Sequence, residues 1–133
     1  MQIMKAVEEL YKLDVASNLR EVVINTTAAS FGAPYPSYVH KHMAIDFTTL
    51  SKQQFDSIIE SKKPIDLKED ESIIYDVTKH LCTSSGPLPS QSFEKASALV
   101  GKGQLLSIIH FIGMYSLISI VNNGANSGYP DDI

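Results

Sequence analysis

Apolar residues recur at three- and four-residue intervals along most of the chain, the spacing of one face of an α-helix. Ile3, Val7, Leu10 and Leu13 follow it over residues 3 to 13, with Lys and Glu between them. A second helix is predicted from Ser17, as its cap, to Ser30, stopped by Gly32 and the two prolines of GAPYPS. Pro36 suits the first turn of a third, over about 36 to 46, because that position needs no backbone donor. Ser51 with Gln54 forms a capping-box pair for a fourth, ending near Ser61 ahead of Pro64. Asp66 with Glu69 repeats the signal for a fifth, over about 67 to 84. GPLP then separates it from a sixth, capped by Ser90 and stopped by Gly101. No run of four to eight residues alternates as a half-buried strand does. The predicted fold is all-α, seven helices in one domain spanning residues 1–133, with no linker or internal repeat.

The last helix stands apart from the others. From Gly103 to Tyr129 there is no charged side chain, and LLSIIHFIGMYSLISIV approaches the roughly 20 apolar residues of a membrane span. At 100° per residue, Leu105, Leu106, Ile109, Phe111, Met114, Leu117 and Val121 point in every direction. A helix of that kind is expected to be buried on all sides. Ser107, His110, Gly113, Ser116 and Ser119 interrupt the run, and no flanking arginine or tryptophan anchors it to a bilayer interface. The expectation is therefore a central helix wrapped by the other six and by a neighbouring subunit, without a membrane.

Composition narrows the partners. A chain of 133 residues is one domain, near the commonest size of about 100 to 150. Fifteen acidic against eleven basic side chains give a net charge of −4, and Arg20 is the only arginine, so the basic stripe that nucleic acid requires is missing. Cys82 is the single cysteine; it can form neither an internal disulfide nor a CxxC pair. The N-terminus, MQIMKAVEELYKL, has no uninterrupted apolar region and no cleavage site. A cytoplasmic location is expected.

Familiar catalytic signatures are missing: no GxSxG, no HExxH, no GxGxxG opening a helix after a strand, no phosphate-binding loop. No cofactor and no metal is expected, since His40 and His42, two residues apart on a helix, point about 200° from each other. His80 reads as part of a solvated face and Cys82 as a structural thiol. Glu21 is different, because it is the last charge before an uncharged stretch from Val22 to Val39. Its helical face carries Ile24, Asn25 and Ala28, and a carboxylate held against such groups is partly desolvated and suited to proton exchange. His40 closes the stretch, and a hairpin between the two helices brings its imidazole within reach of Glu21. From spacing alone the pair is either an acid-base couple or a core clip between two helices.

Four stretches, REVVINTTAASFG (Arg20 to Gly32), Tyr38-x-His40, SKQQFDSII and IIHFIGMYSLISIVNNG, run in order over nearly the whole chain. In them the chain resembles the carboxymuconolactone decarboxylase and AhpD-like superfamily. Its arginine-glutamate opening, histidine and Gly-x-Tyr are matched by Arg20-Glu21, His40 and Gly113-Met114-Tyr115. The peroxidase branch of that family carries E-x11-C-x2-C-x3-H; counted from Glu21, those positions hold Ala33, Pro36 and His40. Both thiols are gone. Peroxide reduction needs one cysteine to attack and a second to resolve, so thiol peroxidase activity is not expected.

What the resemblance implies is a cofactor-independent decarboxylase-like enzyme acting on a small oxygenated carboxylic acid, a lactone acid or β-keto acid. His40 is then the general acid-base group, and Glu21 orients it or relays its proton. Arg20 is a candidate clamp for the substrate carboxylate, and Tyr35, Tyr38, His110 and Tyr115 are candidate pocket donors. The adjacent Arg20-Glu21 pair also fits a structural or subunit-contact ion pair, and the tyrosines fit ordinary core and rim positions. The same acid-base pair serves isomerisation, hydration or cyclisation of a related carbonyl compound. A non-catalytic helical module that binds an anion or a partner protein is the reading of a different class. The resemblance further implies a homotrimer or homohexamer.

Overall fold

The computed structural model describes Lys5, Glu8, Glu9 and residues 12–34 and 46–125. Within them lie five helices: α1 (Ser17–Ser30), α2 (Lys52–Ile59), α3 (Glu69–Thr83), α4 (Ser90–Val100) and α5 (Lys102–Gly124). No strand occurs among the described residues, so the all-α expectation holds. The first and third expected helices, at 3 to 13 and about 36 to 46, fall largely outside the described residues.

The helix ends show where local signals sufficed. Ser51 accepts from the Gln54 backbone N–H at 3.0 Å, and Gln54 Oε1 accepts from the Ser51 N–H at 2.8 Å, the reciprocal pairing expected of a capping box. α1 ends in a Schellman turn, in which Gly32 N–H donates to Ala29 and Ala33 N–H to Ala28. That turn needs the left-handed φ of +63° that Gly32 adopts. Three cap expectations need correction. Ser17 and Ser90 are the first residues of their helices rather than caps, with Ala16 and Pro89 before them. Ala16 N–H is held instead by Gln104 Oε1 at 2.9 Å, so α1 starts on a tertiary contact. α3 begins three residues beyond Asp66: Glu71 Oε1 accepts from the Lys68 N–H at 3.0 Å, while Asp66 Oδ1 takes Gln54 Nε2 at 3.2 Å.

The larger correction concerns the centre of the bundle. It is α1, and not the last helix, that is buried on all sides, with eight consecutive residues from Glu21 to Ala28 inaccessible. α1 packs against α2, α3 and α5. From Val22 to Ala28 its side chains are β-branched or short, which lets three helices approach one axis closely. One core joins Leu19, Val23 and Ile24 to Ile74, Val77, Leu105, Ile108 and Phe111; a second joins Val22 to Leu50, Phe55, Ile58 and Tyr75.

α5 runs parallel to α1, since Gln104 meets the start of α1 and Asn123 Nδ2 meets its end, donating to Phe31 O at 2.7 Å. The inward side of α5 carries Leu105, Ile108, Phe111, Ile112, Tyr115 and Ser119. Its outward side is open, with Leu106, Leu117, Ile120 and Val121 all exposed. By length and composition α5 is long and apolar enough to cross a membrane, with 33% of its most apolar window buried.

Candidate functional site

Position along α1 determines what the candidate residues can do. Glu21 lies one turn inside the helix and is fully buried. Arg20 precedes it on the flank, and its Nε stands 3.5 Å from Glu21 Oε1, a length at which charge attraction outweighs hydrogen bonding. Arg20 keeps 19% of its side chain accessible, against 1% for Glu21, so the pair joins a buried carboxylate to the bundle surface. Neither side chain is confined to that one contact.

One turn further, Asn25 is also fully buried. Its Nδ2 donates to the Glu21 carbonyl at 2.8 Å, which leaves Oδ1, an acceptor with two lone pairs, without a donor. Thr26 Oγ1 beside it, and Ser119 Oγ and Asn122 Nδ2 on α5, are buried polar atoms with no protein partner. Buried polar groups are normally paired, by protein, by ordered water or by a ligand. Such orphans occur on α1 and on α5, two helices that pack against each other.

Tyr115 projects from the buried side of α5 into the main core and stacks on Phe111, with ring centroids 6.4 Å apart and planes 9° from parallel. From the two helix-end contacts, Tyr115 stands level with Asn25 along the bundle axis. His110 lies elsewhere: it is five residues, about 140°, from Tyr115 around the helix, on the exposed side, with Nδ1 2.7 Å from Leu106 O. His110 and Tyr115, both candidate pocket donors, therefore face different sides of α5. His40, Tyr35 and Tyr38 lie outside the described residues.

Cys82, on α3, has its Sγ 3.8 Å from Thr27 Oγ1, and Ser116 and Ser30 supply further hydroxyls. Burial pushes this thiol above the ordinary cysteine range; those hydroxyls and Lys79 oppose the shift without reversing it. Among the described residues no group of three or more His, Cys, Asp or Glu is arranged to hold a metal. A surface notch of about 170 Å³, lined by Gln53, Gln54, Ser57, Pro64, Ile65 and Asp66, includes none of the candidate residues.

Asn25, Thr26, Ser119 and Asn122 were not among the residues that sequence reasoning selected. The signal open to it was the four-residue step from Glu21 to Asn25, which places a second polar group on the carboxylate's own face. Ser119 and Asn122 carry no such signal, because the burial of their polar atoms depends on tertiary packing. No protein-family model matches the chain, and no curated protein matches it in sequence.

Proposed function

We propose that the chain is a cofactor-independent, decarboxylase-like enzyme for a small oxygenated carboxylic acid, with its site at Glu21. The observation that carries this reading is a fully buried carboxylate at the centre of the bundle, flanked by the only arginine and followed one turn later by an unsatisfied amide oxygen. A buried charge is expensive in an apolar interior, and such groups concentrate where chemistry needs them.

In the proposed reaction the bond between the substrate carbon and its carboxylate breaks, and the electron pair passes to the substrate's own conjugated carbonyl. Carbon dioxide leaves, and an enolate remains. His40 delivers a proton to carbon and recovers one from water; Glu21 holds the imidazole or relays that proton. Arg20 receives the substrate carboxylate before cleavage, and Tyr35, Tyr38 and Tyr115 are donors toward the developing oxyanion. His110 takes no part. The homotrimer or homohexamer implied by the resemblance belongs to the same proposal, as does a cytoplasmic location.

The test is carbon dioxide release from lactone acids and β-keto acids by the purified chain, compared with Glu21→Gln and His40→Ala. Release that survives both substitutions at full rate rejects the mechanism. Binding of small carboxylates without turnover of any of them selects the non-catalytic module instead, and conversion without gas release selects isomerisation, hydration or cyclisation.

A further inference from the structure

α5 carries two seams, and the described residues cover one. Leu105, Ile108, Ile112, Tyr115, Ser119 and Asn122 follow alternating steps of three and four residues along the inward side. The outward side repeats the same rhythm: Gly103, Leu106, His110, Gly113, Leu117, Ile120 and Gly124 are spaced 3, 4, 3, 4, 3, 4, and every one of them is exposed. This is the spacing of core positions in a coiled coil. An ordinary surface helix puts charge on the side facing water, but no charged residue occurs between Gly103 and Ala125. Leu106, Leu117 and Ile120 are left 43%, 44% and 55% accessible.

We propose that this outward seam is an interface for a second copy of the chain, formed by two α5 helices running antiparallel about a twofold axis between Phe111 and Ile112. The arrangement of large and small residues selects that partner and orientation. In the antiparallel register Ile120 of each copy lies over Gly103 of the other, Leu106 over Leu117, and His110 over Gly113, so that Gly103 and Gly113 each receive a bulky side chain while Gly124 lies beyond the overlap. Gly113 is open outward, with nothing within 4 Å of where a Cβ would stand. A parallel pair stacks glycine on glycine at three layers and leaves voids, which packed interfaces do not tolerate. An uncharged seam also fits an uncharged seam, whereas a charged partner loses its hydration without gaining a counter-charge.

The overlap from Gly103 to Ile120 is about 26 Å long and about 10 Å wide, roughly 500 Å² over the two copies together. That places the pair among small, concentration-dependent interfaces, below the roughly 1,200 Å² at which standard ones begin. A twofold seam gives even-numbered assemblies: a dimer alone, or a hexamer where it joins two trimers. The inference stands on the open side of α5 and is independent of the chemistry at Glu21.

The experiment is sedimentation of the full chain from about 1 µM to 500 µM, with Leu117→Glu and, as a milder change, Leu106→Gln. The expected result is concentration-dependent pairing that both substitutions shift at least tenfold in concentration, with helical circular dichroism and melting temperature retained. Orientation is read in a Cys82→Ser background by mixing Leu106→Cys with Leu117→Cys. The antiparallel register yields the mixed disulfide and little of either homodimer, since like positions stand about 16 Å apart. A monomer throughout the range, a closed trimer, or an assembly indifferent to both substitutions overturns the proposal. So does a dominant Leu106→Cys homodimer, which indicates parallel helices, or partition of the unmodified chain into neutral phosphatidylcholine vesicles that Leu117→Glu abolishes.

Discussion

Asn25 donates its amide to the carbonyl oxygen of Glu21, one turn earlier on the same helix, and its own oxygen is left buried without a donor. The bond holds the Asn25 side chain along α1, so the unused acceptor lies on the side of the helix that also bears Glu21. A hydroxyl-bearing ligand or an ordered water is what that oxygen can receive.

Replacing Asn25 with leucine therefore removes one hydrogen bond and one unsatisfied atom together. The two effects oppose each other, and stability is expected to change by less than about 1.5 kcal/mol in urea unfolding. If the oxygen serves the reaction, turnover of the substrate found by the gas-release screen falls at least tenfold while the fold persists. An equal loss of stability and activity indicates a purely structural amide.

His40→Ala is expected to lower turnover about a hundredfold, the usual scale for a positioned general acid. Glu21→Gln keeps the side-chain shape and is expected to fall comparably. The double variant is expected to be little worse than either single, because residues acting as a unit are not additive. Melting temperatures measured on all three separate this outcome from a core clip, which loses stability rather than rate.

Glu71 is the other inaccessible carboxylate among the described residues, and its partners differ from those of Glu21. Its Oε2 accepts from Asn18 Nδ2 at 2.8 Å and its Oε1 from the Lys68 N–H at 3.0 Å, while Asn18 also reaches Thr49 Oγ1 at 2.7 Å. This network ties the starts of α1 and α3 to the loop before α2. Glu71→Ala removes the acceptor of both donors; Lys68 is exposed and Asn18 half-buried and still bound to Thr49, so water replaces part of the loss, and the change is expected to cost roughly 1 to 3 kcal/mol with no direct effect on chemistry. Denaturant unfolding and gas release, measured on the same sample, check the two halves of that expectation.

Thiol chemistry has a predicted sign. Burial raises Cys82 above the ordinary cysteine range, and burial followed by the Asp76 charge raises Tyr75 above 10.0. Both groups hold their protons more tightly folded than unfolded. Their contribution to stability is thus complete below the ordinary thiol pKa of about 8.5 and is lost as pH rises through the folded values. The melting temperature is expected to be insensitive to these groups near neutrality and to fall above about pH 9, less steeply in Cys82→Ser. Iodoacetamide at pH 7.5 is expected to label the native chain more slowly than free cysteine, and hydroperoxide turnover with a dithiol is expected to be absent. Turnover abolished by Cys82→Ser would reverse this reading of the thiol.

Local signals determine the helical class, the Ser51–Gln54 box, the glycine stops after α1 and α4, and the isolation of Glu21 as a charge bordering an uncharged stretch. These depend on neighbours within a few residues, and the hydrogen bonds that satisfy them close inside one turn. Which helix lies at the centre was not legible, because average apolarity favours α5, whereas burial goes to the helix whose short side chains let three others approach. The start of α1 was missed for a related reason: its first donor is satisfied by Gln104, 88 residues away. His110 shows the same division. Its place beside the Gly-x-Tyr positions is a property of the chain, but whether it faces the core or water depends on which side of α5 the rest of the bundle covers. Asn25, Ser119 and Asn122 became candidates only once packing had removed them from water, since an unpaired polar atom has consequences only where water cannot reach it.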